Sequence, residues 1–164
     1  MKKLIAAVFA VFAVLVSAPA QAAPAAQEVV LVTTLTSSGT NLTTIGNVTY
    51  GWNDLKGVAS WGNDPASVRL QGDVGYKNGS GPFNGYFTIT RADGAQLAFH
   101  VDGQALAYAV PTGTKTNFRG VLSYLQGSGA YSNAQSTGTM VGSRDAALGS
   151  PVRMTLRFTL VPRV

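Results

Sequence analysis

The chain of 164 residues contains no cysteine and has a single histidine, His100. The lack of cysteine excludes disulfides, thiolate catalysis and cysteine-ligated metals, so the fold must be held by its core or by closure of a sheet. One histidine and seven scattered carboxylates match no zinc-ligand spacing, so we predict no metal. The chain also lacks a nucleophile elbow, a phosphate-binding loop and a dinucleotide fingerprint. No motif therefore fixes a reaction, and no cofactor is predicted.

Charge is sparse as well, since Asp, Glu, Lys and Arg together make up 12% of the residues. Once the first two lysines are set aside, ten basic residues stand against seven acidic ones, and the basic residues are spread along the chain. A nucleic-acid-binding surface needs clustered basic residues. We therefore predict no nucleic-acid partner.

The one long apolar run lies near the start of the chain. A pair of lysines precedes the uncharged stretch Leu4–Val16, and Ala20 and Ala22 occupy the positions of an A-x-A cleavage site. We predict a secretory signal peptide over residues 1–22 and therefore an exported protein, secreted or periplasmic. The alternative is a membrane anchor, but the run is shorter than the ~20 residues that a spanning helix needs. The basic start and the lack of cysteine are typical of a bacterial exported protein.

After a short tether at residues 23–27, alternating apolar and polar residues predict one β-domain over residues 28–164. The predicted strands cover residues 28–36, 55–61, 66–77, 82–92, 95–110, 116–126, 135–144 and 150–161. Residues 37–54 are rich in Gly, Asn and Thr and predict turns or a short strand. Asp93-Gly94 predicts a two-residue hairpin, Gly103 a bulge, and residues 145–148 one helical turn.

About eight short strands with frequent turns are typical of a β-sandwich or a β-barrel. Glycines within the predicted strands favour the barrel, because small residues permit the coiling that closure needs; they are Gly72, Gly85, Gly120, Gly138 and Gly142. Closure also removes the exposed edges that a sheet without disulfides would have to protect. The predicted fold is all-β, an eight-stranded antiparallel closed barrel.

The stretch Phe118–Arg144 consists of two alternating runs joined by a turn with the sequence GSGAYSN. Together with GPFNGYFT at residues 81–88, it resembles the allene oxide cyclase-like and dirigent-like barrels, in which a G-x-G-x-Y turn precedes a glycine-containing strand. The resemblance spans Val68–Leu160 and implies a calycin-type barrel with a cavity open at one end. It also implies a small hydrophobic or phenolic ligand and, in some members, a cyclisation guided by the shape of the cavity. Other bacterial members have no known activity, so it stays open whether this chain is an enzyme.

Asp73 lies in mid-strand, with Arg69 four residues earlier on the same strand face. If that face lines the barrel, both residues and Arg119 would form a polar cluster beside Tyr76 or Tyr124. Such a cluster could protonate a substrate oxygen or stabilise a developing charge. If the face points outward, Arg69 and Asp73 form a solvated pair, which the large apolar residues on the opposite face favour.

His100 and Asp102 share one strand face, which could orient the imidazole as a general base. The alternative is a surface pair on the barrel exterior, and we favour it. Asp73, Arg69 and His100 are thus the candidate catalytic residues. The candidate ligand-binding residues are Tyr76, Phe87, Phe99, Tyr108, Arg119 and Tyr124.

We read the sequence first as an exported barrel that holds, cyclises or isomerises a small hydrophobic ligand. An eight-stranded barrel is just wide enough to be filled or to hold one ligand. The second interpretation is therefore a filled barrel that acts as an envelope or extracellular interaction protein. Trp52 and Trp61 would then gate or plug an end. The third interpretation is a small outer-membrane barrel. It is opposed by the missing terminal aromatic residue and by the missing aromatic girdles. The sequence does not predict the oligomeric state.

Overall fold

The computed structural model describes residues 25–145 and 147–161, and its eight antiparallel strands form a closed barrel in which each strand pairs with the next and β8 pairs with β1. The strands are β1 (Gln27–Ile45), β2 (Val48–Trp61), β3 (Asp64–Lys77), β4 (Gly81–Arg91), β5 (Gln96–Val110), β6 (Gly113–Gly127), β7 (Gln135–Arg144) and β8 (Val152–Val161). A short 3-10 helix, Gly129–Tyr131, lies between β6 and β7. The predicted fold is confirmed.

Three predictions fall wholly or partly outside the described residues. They are the signal peptide with its cleavage site, the first part of the tether, and the helical turn at 145–148, which includes Ala146. Within the described ranges, no helix is long and apolar enough to cross a membrane.

The alternation read from the sequence decides which face of each strand is inside. In β8 the even-numbered residues from Val152 to Leu160 are buried, whereas Arg153 and Arg157 are exposed. The same period of two puts the large apolar side chains of β3 to β7 inside the barrel, because successive side chains of a strand point to opposite faces. The core is therefore the barrel interior.

β1 is longer than predicted, and it changes partner along its length. Residues Gln27–Leu35 pair with β8, and Thr36–Ile45 pair with β2. Of the two alternatives predicted after residue 36, turns or a short strand, this segment forms strand, and the strand is longer than predicted. A two-residue turn that starts at Gly46, with a φ of 60°, joins β1 to β2, and glycine adopts that conformation without strain.

Two local predictions need correction. Gly103 pairs regularly with Phe83 and Gly120, and the irregularity in β5–β6 lies between Ala98 and Phe99 instead. Position 103 requires glycine because a β-carbon there would overlap the Phe83 ring. The turn at Asp93-Gly94 is present, but residues 92–95 form a four-residue connection between β4 and β5.

One end of the barrel, here called the closed end, carries the β2–β3, β4–β5 and β6–β7 connections. Trp61 is 6% exposed and packs between Tyr131 and Phe158, with ring centroids 5.6 and 5.7 Å away. The Arg91 guanidinium lies 5.3 Å from the Trp61 ring centre and donates a 2.6 Å hydrogen bond to the Tyr131 hydroxyl. Phe99 packs deeper, 4.9 Å from Phe158. These contacts plug the closed end.

Candidate functional site

The opposite end of the barrel, the open end, contains a cavity of about 50 Å³. We call it the open-end cavity. Its wall is mostly apolar and includes Leu55, Leu70, Val74, Phe83, Phe118, Val152 and Met154. Two ionisable side chains of the interior, Tyr76 and Arg144, also line it. A mostly apolar wall with a few polar groups is typical of a small-molecule site.

Arg144 is the charged residue that strand alternation turns inward at the end of β7. It follows Met140 and Gly142 on the inner face and is 6% exposed. Its Nη2 donates a 3.3 Å hydrogen bond to the Thr116 hydroxyl, and its guanidinium lies 5.5 Å from the centre of the Phe118 ring. Burial lowers the pKa of Arg144, and the nearby Tyr76 opposes that shift. The side chain therefore brings a positive charge to the wall of an apolar cavity.

Tyr76, at the end of β3, is 4% exposed and shares the open-end cavity with Arg144. Burial raises the pKa of the Tyr76 hydroxyl to about 12, while the charge of Arg144 acts in the opposite direction. At neutral pH the hydroxyl is therefore protonated and able to donate a hydrogen bond. The cavity thus offers one cationic donor and one neutral donor.

The burial of Tyr76 predicts a loss of stability in alkali. The ordinary tyrosine pKa is 10.0 and the folded value is about 12, so the unfolded chain ionises first. Stability is fully present below pH 10 and falls as the pH rises towards 12, by about 2–3 kcal/mol in the limit. Denaturant unfolding at a series of pH values would measure this. In Tyr76→Phe the part of the slope due to Tyr76 should vanish, and an unchanged slope would contradict the assignment.

The structure does not bring the candidate catalytic residues Arg69 and Asp73 together. Both lie on the outer face of β3, where Arg69 Nε and Nη2 donate to the two carboxylate oxygens of Asp54 at 2.9 and 2.7 Å. The hydrogen bond from Arg69 lowers the pKa of Asp54. Asp73 is exposed and contributes to the rim of the open-end cavity. This strand face therefore points outward, as the alternative predicted, but Arg69 pairs with Asp54 and not with Asp73.

His100, the third catalytic candidate, lies on the outer face of β5. Its Nδ1 is 3.3 Å from an Asp102 oxygen, and its ring packs on exposed Tyr86 at a centroid distance of 5.4 Å. Within the described residues, no cluster of three or more His, Asp or Glu side chains could hold a metal ion. His100 is thus placed in an exterior pair, away from the interior.

The candidate ligand-binding residues separate into three groups. Tyr76 lines the open-end cavity. Phe87 and Phe99 are fully buried in the packed interior, and Tyr124 packs on Phe99 and donates a 2.9 Å hydrogen bond to the Tyr131 carbonyl near the closed end. Tyr108 and Arg119 are exposed on the outer surface. Of the six, therefore, Tyr76 is the one that lines the cavity.

Larger grooves adjoin the open-end cavity, and two of them border Leu148. One, of about 290 Å³, shares Tyr76, Arg144 and Leu148 with the cavity. The other, of about 320 Å³, shares Ser37, Asn53, Leu148 and Gly149 with it. Leu148, in the β7–β8 connection, borders all three spaces. A ligand larger than the cavity could therefore extend from it along either groove.

Sequence reasoning missed Arg144 as a site residue, although the signal was present. Gln135–Arg144 was predicted as a strand, and Met140 and Gly142 define its inner face by alternation. A charged residue in phase with that face is uncommon and points to a functional or a paired side chain. The pattern of one strand was thus enough to find Arg144.

The fold and the cavity together define a small closed antiparallel β-barrel with a mostly apolar cavity at its open end, lined in part by Tyr76 and Arg144. No protein-family model matches the chain, and no curated protein matches it. Among solved structures, the chain is similar to a protein with unknown function from Clostridium acetobutylicum ATCC 824, with a TM-score of 0.52 and 14% sequence identity over 83% of this chain and 98% of that chain. This likeness shows the fold alone, and the resemblance to allene oxide cyclase-like barrels stays a prediction.

Proposed function

We propose that this barrel is an exported binding protein for a small amphipathic molecule that carries an acidic head group. The observation that carries the proposal is the Arg144 guanidinium in the wall of an otherwise mostly apolar cavity. Buried arginine favours carboxylates, because its planar donors match their two oxygens and the charge acts strongly away from water. The Tyr76 hydroxyl supplies a second donor.

The size of the spaces limits how such a ligand binds. A volume of about 50 Å³ holds a head group of a few atoms, well below the roughly 300 Å³ or more of a typical ligand pocket. The apolar tail would therefore leave the cavity and lie in the adjoining groove of about 290 Å³, which Tyr76, Arg144 and Leu148 also border. Deeper in the barrel, Phe87 and Phe99 are fully buried in the packed interior.

Binding fits the geometry better than a cyclase or isomerase reaction. Arg69 and His100 lie on the outer face, where they pair with Asp54 and Asp102. An arginine remains protonated and is a poor general acid or base, so Arg144 positions a ligand more readily than it transfers a proton. The competing function is that of an interaction protein whose barrel is filled and holds no ligand. The packed aromatic plug at the closed end supports it.

The distribution of side chains disfavours the outer-membrane reading. The interior is mostly apolar, and the outer faces mix exposed apolar residues with charged ones such as Arg69, Lys77 and Arg157. A membrane barrel instead has a polar interior and an apolar band facing lipid. We therefore infer that the barrel is surrounded by water and not by lipid.

Calorimetric titration of purified residues 23–164 tests the proposed function. The probes are octanoate and 1-octanol, which share a chain length and differ in the charge of the head group. We expect octanoate to bind and octanol to bind at least about tenfold more weakly, since a charge-assisted hydrogen bond contributes about 1.5–3 kcal/mol. Equal affinities would contradict the acidic head group. Absence of binding by either probe would favour the filled barrel.

A further inference from the structure

One edge of β1 is left without a strand partner. β8 pairs with β1 as far as Leu35 opposite Val152, and β2 pairs with the other side of β1 from Thr36 onward. Pro151 would come next in the β8 register, but it has no N–H to continue the ladder. Within the described part of the chain, no strand therefore pairs with the second side of Thr36–Ile45, here called the β1 edge.

The turn that ends β1 indicates which backbone groups this edge presents. In a two-residue hairpin the residues next to the turn, Ile45 and Val48, form the pair that exchanges hydrogen bonds. Alternation from that pair leaves the N–H and C=O groups of Thr44, Leu42 and Thr40 directed away from β2. Such a row of groups is a template for another extended strand.

The β1 edge lacks the usual protection against pairing. No charged residue and no proline occurs from Thr36 to Asn53. Natural sheets commonly protect exposed edges with lysine, proline or a bulge. An irregularity lies between Ser37 and Gly39, which affects the start of the edge and leaves Gly39–Ile45 regular. This segment is therefore open to strand addition along about seven residues.

We propose that the β1 edge pairs antiparallel with the β1 edge of a second copy of this chain, about a two-fold axis. A copy fits because the edge already has an extended conformation, and because two neutral strands bring no like charges together. A groove of about 320 Å³ separates Thr40–Leu42 from Leu148 and Gly149 of the β7–β8 connection. Two-fold pairing satisfies both open edges at once, as isologous contacts do.

Exposed apolar residues flank the same segment and support the proposal. Ile45, Tyr50 and Val48 lie on the outer face of the β1–β2 hairpin and are 65%, 46% and 37% exposed. A two-fold axis perpendicular to the sheet puts the outer faces of both copies on one side. The two apolar strips then join into one surface across the new pair of strands. The predicted assembly is thus a dimer with a continuous sheet across two barrels.

Single-cysteine crosslinking tests this pairing, since the chain has no other cysteine. Each residue from Thr40 to Thr44 is changed to cysteine in turn, and residues 23–164 are oxidised at matched concentration. Thr139→Cys is the control, because Thr139 is exposed on β7 and both sides of β7 are paired. We expect crosslinking to peak at the position nearest the two-fold axis, at least about tenfold above the control, which corresponds to about 1.4 kcal/mol of preference.

Sedimentation equilibrium of the unmodified chain and of charge variants supplies an independent readout. Thr43→Lys and Thr43→Glu alone should each shift the chain to monomer, and an equimolar mixture should restore the dimer through opposite charges across the pair. Circular dichroism would confirm that both variants keep their strands. A monomer at every concentration, or crosslinking no higher at residues 40–44 than at Thr139→Cys, would overturn the proposal.

Discussion

Replacement of Phe158 by alanine is expected to lower the free energy of unfolding by about 3–5 kcal/mol. Phe158 is 1% exposed and lies between the Trp61 and Phe99 rings, with centroid distances of 5.7 and 4.9 Å. Its removal leaves a cavity at the junction of the plug and the packed interior, where the closed barrel limits collapse of the surrounding strands. Denaturant unfolding monitored by circular dichroism would measure the loss.

Tyr86→Ala is the matched control for this experiment. Tyr86 is also an aromatic residue within a strand, but it is 54% exposed on the outer face and packs on His100. We expect a cost below about 1 kcal/mol, as for most exposed positions. Similar losses for the two variants would mean that the closed end is not a packed plug.

Replacement of Arg144 by methionine is expected to weaken octanoate binding by about 10–150-fold, the effect of losing one charge-assisted hydrogen bond. Methionine retains much of the apolar stem, so binding of octanol should change little. We expect the free energy of unfolding to change by less than the free energy of octanoate binding, because loss of a buried charge also removes its desolvation cost. Titration calorimetry with both probes separates the charge of the site from its apolar wall.

Arg119→Met provides the comparison for Arg144→Met. Arg119 has the same side chain but lies exposed on the outer face of β6. We expect its affinity for octanoate to equal that of the unmodified chain. If Arg119→Met and Arg144→Met weaken binding equally, net charge and not the open-end cavity attracts the acid.

Much of the fold could be predicted because one face of each strand is buried. The alternation in β8, from Val152 to Leu160, marks strand and inner face together. Residues 37–45 could not be read in this way, because Ser, Thr, Gly and Asn occur on both faces there. Their strand conformation depends on the ladder with β2, which is a tertiary feature. At Asp93-Gly94 the position of the turn was predicted correctly, but the predicted loop of two residues was wrong, since the connection has four.

The candidate site was harder to predict because it depends on the register between strands. The sequence paired Arg69 with Asp73, its neighbour along the strand, whereas the structure pairs it with Asp54 on the adjacent strand. Tyr76 was predicted as a ligand contact beside a polar cluster of Arg69 and Asp73; it does line the cavity, but those two residues lie on the opposite face of the strand. Which of the buried aromatic residues border free space depends on packing around the whole barrel, as Phe87 and Phe99 show.

The two ends of the barrel differ in what their inward-facing arginines contact. Arg91 and Arg144 both lie on inner strand faces, at opposite ends of the barrel. Arg91 is half-buried and Arg144 is buried. At the closed end, Arg91 lies within 4.0 Å of Asp64 and Asp93 and packs on Trp61. At the open end, Arg144 lines a cavity that adjoins two grooves. A ligand should therefore affect one end of the barrel and leave the other unchanged.

Methyl NMR of methionine tests whether a ligand binds at the open end of the barrel. Met154 lines the open-end cavity, whereas Met140 is 1% exposed in the interior and lies outside the cavity wall. With carbon-13 in the methionine methyl groups of residues 23–164, titration with octanoate should shift the Met154 signal progressively and leave that of Met140 in place. If octanoate moves neither signal, or moves that of Met140 as much as that of Met154, a ligand site at the open end is contradicted.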